Sequence, residues 1–354
     1  MNVKKYQASR WKYFMQRSYI KCLELNISET CNYNCKYCVF HRNNKKTVLM
    51  DPSTAAQIAS DYDRYLDGKK GKIYFGAGEP LLNWDAIVRV CEALKTRRSD
   101  IGLFFMTNAS LLTPEKLLYL RDNGIRMGFS LDGKPTRQRN TRTPFDPSID
   151  SYDVVINALE WAKRIHYPVF SLSATYNKLG FVPDAEYVMS ICAEHNIKEF
   201  DLDYDIESLH YDNLAQVATE LVECFYKADA LGLKTFGYWL IPYLNKLDHS
   251  SFHSYCDNAS GSSLCISAEG KIKICGYDPI SYLDYNSFES VLCSHKLQKA
   301  LVDYNMRNDE CMKCDLYPFC LGQCILHDCN QHSFRNNCSF LHIVTAKMLE
   351  THNT

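Results

Sequence analysis

Cys31-Asn32-Tyr33-Asn34-Cys35-Lys36-Tyr37-Cys38 follows closely on an alternating run, Lys21-Cys22-Leu23-Glu24-Leu25-Asn26-Ile27. The run reads as a strand, and the C-x3-C-x2-C stretch as the loop that leaves it. Three thiolates this close can share a soft metal centre. A structural zinc site wants four ligands. A [4Fe–4S] cube held by three cysteines keeps one iron open for another ligand.

The rest of the chain limits what such a loop can serve. With 354 residues there is room for one large domain and a small one. A hydrophobic fraction of 46% and a charged fraction of 23% are ordinary for a globular protein, so no disordered or fibrous class applies. A net charge of -1 argues against nucleic acid as a partner, which would need a basic footprint. Lys4, Lys5, Arg10, Lys12, Arg17 and Lys21, mixed with Tyr6, Trp11, Tyr13 and Phe14, form a basic arm before the first strand. The arm reads as a solvated terminus or as a docking surface for an acidic peptide. No apolar run is long enough to span a bilayer and no signal-peptide core opens the chain, so a cytoplasmic protein without a membrane partner is expected. In that compartment 17 cysteines point to metal rather than to disulfides. Ten of them lie between Cys256 and Cys338, whereas Cys91, Cys192 and Cys224 are spread singly through helical patterns and read as buried apolar residues.

Strand and helix patterns alternate after the cysteine loop. Helices are expected over 52–66, 84–95, 113–122, 152–165 and 183–195, and strands over 72–75, 101–107, 125–131, 167–175 and 197–206. Pro114 suits the first turn of its helix, and Asn123-Gly124 stops it. Six strands joined by helical crossovers predict an α/β fold with parallel pairing, a partial (β/α)6 TIM-like barrel. An open doubly wound sheet is the alternative. In both, chemistry gathers at the C-terminal ends of the strands, where the cysteine loop falls. A long helix over 211–233 follows. The stretch 237–255, without clear periodicity, divides a core of residues 1–236 from a small cysteine-rich domain of residues 256–354.

Three further strand ends carry candidate groups. Gly76-Ala77-Gly78-Glu79-Pro80 lets backbone approach a ligand closely, and its carboxylate can hold an ammonium group. Met106-Thr107-Asn108 ends the third strand, and Ser130-Leu131-Asp132-Gly133 the fourth, with Arg142 beyond. An arginine fork suits a carboxylate. The sixth strand alternates strictly through Asp201, Asp203, Asp205 and Glu207, so its acids line the barrel mouth or face water at an edge. Asp205 and Glu207, nearest the C-terminal end, are the candidates for proton transfer or substrate orientation. In the last quarter Cys311-x2-Cys314-x5-Cys320-x3-Cys324 is preceded by Cys256 and Cys275 and followed by Cys338. A pair of structural zinc sites is one reading of this order.

Taken together, these motifs resemble the radical S-adenosylmethionine (SAM) enzymes that carry a SPASM extension and modify peptides or proteins. The resemblance implies a partial barrel with one cluster on Cys31, Cys35 and Cys38, whose open iron chelates SAM. It implies SAM contacts from Tyr37, Gly76, Gly78, Glu79, Asn108, Ser130 and Arg142, with Ala77 and Ala109 standing where the family has glycine. It further implies two auxiliary [4Fe–4S] clusters, one on Cys256, Cys275 and Cys324 and one on Cys311, Cys314, Cys320 and Cys338. Cys265 or an open iron completes the first, Cys329 competes with Cys338 in the second, and Cys293 has no role. The implied chemistry is reductive cleavage of SAM to a 5′-deoxyadenosyl radical, followed by oxidative crosslinking (thioether or carbon–carbon) of a ribosomally made precursor peptide. A flavodoxin or ferredoxin would supply electrons, and, with too little chain before the first strand for a leader-binding domain, a leader peptide would need another surface or a separate leader-binding protein. The related anaerobic sulfatase-maturating enzymes, which form formylglycine, carry an aspartate after the second SPASM cysteine, and here that position is Gly276. A scaffold or electron carrier without SAM chemistry is the alternative of another class.

Overall fold

The computed structural model describes residues 19–38, 47–248, 255–305, 309–324 and 331–352. The basic arm before Tyr19 and Cys329 lie outside the described residues. In chain order the strands are β1 (Cys22–Ser28), β2 (Tyr33–Cys35), β3 (Lys70–Ala77), β4 (Asp100–Thr107), β5 (Arg126–Ser130), β6 (Arg142–Pro144), β7 (Ser171–Tyr176), β8 (Glu199–Tyr204), β9 (Lys234–Phe236), β10 (Ser263–Ile266), β11 (Lys271–Lys273) and β12 (Leu283–Asp284).

Ten of these strands share one sheet in the order β12-β11-β10-β1-β3-β4-β5-β7-β8-β9. From β10 to β9 every neighbouring pair is parallel, and the outer pairs β10–β11 and β11–β12 are antiparallel. The six expected strands are the central ones, and the sheet is an open, partial barrel. Two additions were not legible in the pattern. Strand β9 extends one edge, and β10 from the cysteine-rich region pairs with β1 on the other, Glu24 opposite Cys265. Within the stretch 237–255, Tyr238–Leu240 forms a 3-10 turn and Ile241–Asp248 a helix, with Trp239, Leu240 and Tyr243 buried.

Alternation decides which side chains face the interior. Leu23, Leu25, Ile73, Phe75, Leu103, Phe105, Met127, Phe129, Leu172, Phe200 and Leu202 join the core under the helices. The opposite face carries Glu24, Tyr74, Met106, Gly128, Ser171 and Asp201, and its side chains contact those of neighbouring strands. Tyr74 packs on Phe104 with centroids 4.8 Å apart, and Ser171 Oγ donates to Asp201 at 3.2 Å. Helix starts follow local rules. Asp51 accepts from Thr54 N at 2.9 Å ahead of Pro52, and Thr113 caps the helix that opens with Pro114.

Farther along, the helix Leu214–Ala230 reaches back with buried Glu220, whose carboxylate accepts from Gly180 N and Phe181 N at 2.9 Å. This ion satisfies two backbone donors at the start of the helix Val182–Glu194. Glu220→Ala leaves both unpaired and is expected to cost about 2 kcal/mol or more. A lower denaturant midpoint at unchanged slope checks this, and Glu220→Gln, which keeps an acceptor, should lose less.

Candidate active site

The loop after β1 is clamped from three sides. The first clamp is the glycine turn after β3. Gly78 N donates to Ser28 O at 2.9 Å, and Glu79 N to Thr30 O at 2.8 Å. A Cβ on Gly78 would stand 2.0 Å from Thr30 O, so only glycine permits this approach to the residue before Cys31. The second clamp is Asn108, whose Nδ2 donates to Asn32 Oδ1 at 2.9 Å and lies 3.9 Å from Cys31 Sγ. The third is the antiparallel pair β2–β6, in which Cys35 faces Arg142.

Glu79 is buried, and its carboxylate accepts from Thr107 Oγ1 at 2.7 Å, Asn108 N at 2.9 Å and Leu81 N at 3.1 Å. Burial pushes its carboxyl above the usual range, and these donors pull the other way. Glu79 thus ties the end of β3 to the end of β4 through protein groups. An acceptor without a protein partner lies nearby. Asn26 Oδ1 is buried, unpaired, and 2.6 Å from the point where a Cβ on Gly76 would sit. A cradle made by glycine beside an orphaned acceptor fits a cationic amino group such as that of SAM.

Opposite this turn, Asp132 gathers the residues expected around the cosubstrate. It accepts from Tyr37 Oη at 2.5 Å, Thr141 Oγ1 at 2.6 Å, Arg142 Nε at 3.1 Å and Thr175 N at 3.2 Å. Arg142 also lies over the Tyr37 ring, 5.4 Å from its centroid. Tyr37 and Arg142 therefore come together, held by a fully buried carboxylate whose sequence signal was the Ser-x-Asp-Gly strand end. Ser130, half-buried at the end of β5, is the residue of that strand end beside Ser173 of β7.

The thiols fall into three groups. Cys31, Cys35 and Cys38 are within electrostatic reach of one another, and burial pushes Cys31 and Cys35 up to about 12. Arg142 opposes that shift at Cys35. Neutral thiols packed this way fit a centre whose metal charge deprotonates them. Cys256, Cys275 and Cys324 form a second group. Cys265 is buried in β10 beside Cys275 and is 3.5 Å from Asn26 Nδ2. Cys311, Cys314, Cys320 and Cys338 line one cavity of about 180 Å³. Cys293 is exposed.

The interior acids are arranged differently from the sequence expectation. Asp205 caps the turn Ile206–Ser208, and Glu207 is exposed beyond the end of β8. Asp201 and Asp203 line the interior, where burial pushes their carboxyls up to about 6 and about 7. Asp203 accepts from Tyr238 N at 3.0 Å. Tyr238 and Tyr277 are 49% and 48% exposed, so this acidic, tyrosine-lined chamber is open to solvent.

Glu24 faces the same chamber from β1 and escaped notice as one polar residue of an alternating strand. Gly276 N donates to its Oε2 at 3.2 Å. A Cβ on Gly276 would lie 2.2 Å from Glu24 Oε1. The carboxylate from residue 24 therefore fills the place that a side chain at 276 would take.

The fold and the clamped three-cysteine loop match what a radical SAM domain needs. Residues 25–186 match the Radical SAM superfamily, a domain that implies SAM and one [4Fe–4S] cluster. Over 328 residues it is 24% identical to the radical SAM cyclopropyl synthase TigE of Paramaledivibacter caminithermalis, covering 86% of this chain and 68% of TigE. Its fold is that of anSMEcpe with bound AdoMet (TM-score 0.76, 16% identity, 94% of this chain and 99% of the other). It also matches Streptococcus suis SuiB bound to the precursor peptide SuiA (TM-score 0.70, 16% identity, 93% and 77%). No helix among the described residues is long and apolar enough to cross a membrane.

Two tests follow from this geometry. Ala77 and Ala109 hold φ of 68° and 67°, in the left-handed region. Ala77→Gly and Ala109→Gly are each expected to stabilise by about 1 kcal/mol in chemical denaturation, since relief of strain outweighs the added unfolded-state freedom. Gly276→Ala should destabilise the wild-type background by about 1–3 kcal/mol and cost far less beside Glu24→Ala. A double-mutant cycle read by thermal melting measures that coupling.

Proposed function

We propose that this chain is a peptide maturase: it generates a 5′-deoxyadenosyl radical and uses it to modify a ribosomally made peptide oxidatively. The observation that carries the reading is the union of a clamped three-cysteine loop with seven further cysteines in two groups. The relatives support the substrate class. SuiB is bound to a precursor peptide, anSMEcpe has also been seen with bound AdoMet and a Cp18Cys peptide, and TigE is named a cyclopropyl synthase. A crosslink, carbon–carbon or thioether, is the outcome we infer.

In this reading residues 1–236 form the radical-generating unit and residues 256–354 a SPASM unit, joined through the β1–β10 pairing. Cys31, Cys35 and Cys38 would hold the first cluster, Cys256, Cys275 and Cys324 a second, and Cys311, Cys314, Cys320 and Cys338 a third. The clusters would supply electrons to SAM and accept the electron that an oxidised product releases. The protein's own residues bind, orient and shield. Asn26 Oδ1 and the glycine turn receive the amino end of SAM. Arg142, aligned by Asp132, offers its remaining donors to the carboxylate, and Tyr37 and Ser130 border the nucleoside. Glu24 and Asp203, rather than Asp205 or Glu207, are the carboxylates that meet a substrate in the chamber. The precursor peptide and a one-electron donor such as a flavodoxin or ferredoxin are the partners this chemistry calls for, and a separate leader-binding protein is a further candidate.

Glu24 also favours a second reading. Sulfatase-maturating relatives place an aspartate at the position of Gly276, and Glu24 puts a carboxylate in that space. Formylglycine formation is therefore kept as the alternative product.

Anaerobically reconstituted protein with SAM and dithionite should release 5′-deoxyadenosine and contain about twelve irons per chain. Cys31→Ala should abolish that release and retain about eight irons. Zinc in place of iron, or no 5′-deoxyadenosine from the wild type, sinks the reading.

A further inference from the structure

The cavity lined by Cys311, Cys314, Cys320 and Cys338 also contains a histidine that the proposed function leaves unused. His342 lies four residues after Cys338 on the helix Gln331–His352, and i,i+4 neighbours share a helix face. The helix is fixed by Phe340, Leu341, Val344 and Met348, all buried. Tyr226, in the helix Leu214–Ala230, donates to Met348 O at 3.1 Å. Cys338 and His342 are thus presented to the cavity by a rigid element.

His342 Nε2 is 3.2 Å from Cys314 Sγ, within hydrogen-bonding distance for sulfur. Two other sulfurs of the group also face donors. Gly322 N donates to Cys320 Sγ at 3.3 Å, and Gln323 Nε2 to Cys338 Sγ at 2.9 Å. Gln323 is itself held by Asn337, one residue before Cys338. The donors at Cys320 and Cys338 are buried or belong to the backbone, whereas the His342 side chain is 44% exposed at the rim. Asp315 Oδ1 stands 3.8 Å from Nδ1, beyond hydrogen-bond distance, and contributes charge only.

A thiolate that ligates iron has no proton of its own, so a ring nitrogen facing it must be the donor. Hydrogen bonds to ligand sulfurs withdraw electron density and raise a cluster's reduction potential. We propose that His342 is a positioning residue that sets the potential of the centre held by Cys311, Cys314, Cys320 and Cys338, by donating Nε2–H to the Cys314 sulfur. This rests on the auxiliary-cluster reading above. It adds a donor at the rim of that centre to those already present on its enclosed side.

The competing possibility is that His342, Cys314 and Asp315 ligate a single ion, since one ligand atom of each lies within 4.8 Å of the others. The test uses the full reconstituted chain, with iron and sulfide analysis, thermal melting and a redox titration followed by electron paramagnetic resonance. The signal of the centre is identified by its loss in Cys311→Ala. His342→Phe is expected to shift its midpoint to a more negative potential, with about twelve irons retained and 5′-deoxyadenosine release unchanged. His342→Gln, which keeps an N–H donor, should restore most of the wild-type potential. An unchanged midpoint in His342→Phe overturns the proposal. So does the loss of about four irons, which would make His342 a ligand. Zinc retained by the wild type and lost from His342→Phe would establish the single-ion site instead. A wild type with about eight irons and no Cys311-dependent signal would remove the third centre itself, and with it both this proposal and that part of the proposed function.

Discussion

A carboxylate buried between two strand ends is the constraint on which the site depends. Glu79 has been taken out of water, and an isolated ion there would cost several kcal/mol. Three donors from Thr107, Asn108 and Leu81 offset that cost, and in doing so they fix β3 to β4 at their C-terminal ends. The same turn reaches the other way through Gly78 and Glu79 backbone to Ser28 and Thr30. The three-cysteine loop begins one residue later. Its position is therefore a consequence of hydrogen bonding and of a contact that no Cβ would permit, and not of the loop's own short sequence.

A second constraint comes from the two faces of the barrel strands. The outer face is apolar and buried, as parallel strands under helices require. The inner face holds Glu24, Asp201 and Asp203, an arrangement that would be unfavourable in a dry core. Here it is tolerable because the tyrosine-lined chamber is reached by solvent, while enclosure still raises the carboxyls. Acids held at elevated pKa in a chamber beside the Cys275 thiol are suited to proton exchange with a bound group. On the far side, Asp132 is kept by four donors and spends its charge on aligning Arg142 and Tyr37.

Much of the fold was legible because it rests on local rules. The Asp51-Pro52 start and the 3.6-residue pattern that follows specify a helix whose observed limits, Pro52–Leu66, match the expectation. The six central strands were readable for the same reason. Strands β9 and β10–β12 were not, since two to four residues hold too little periodicity and β10 pairs with β1, far away in sequence. The helix Ile241–Asp248 was missed because its buried face is shared among Tyr243 and neighbours supplied by other elements. Ala77 and Ala109 show the limit of composition. Both take the left-handed backbone that glycine would take, so the turn geometry persists where the residue type has changed.

By itself the sequence determined the class of chemistry: thiol spacing, a glycine turn with an acid, and alternating strand and helix are all short-range properties. What it left open was which groups meet. Glu24 and Gly276 are 252 positions apart, and only the pairing of β1 with β10 brings the carboxylate into the space beside Cys275. Asp205 and Glu207, nearest the strand end in sequence, fall in the turn after β8, which stops at Tyr204, whereas Asp203 is still on the strand. Contacts across a barrel depend on register and closure. Those are set by packing over the whole sheet, and tertiary structure alone decides them.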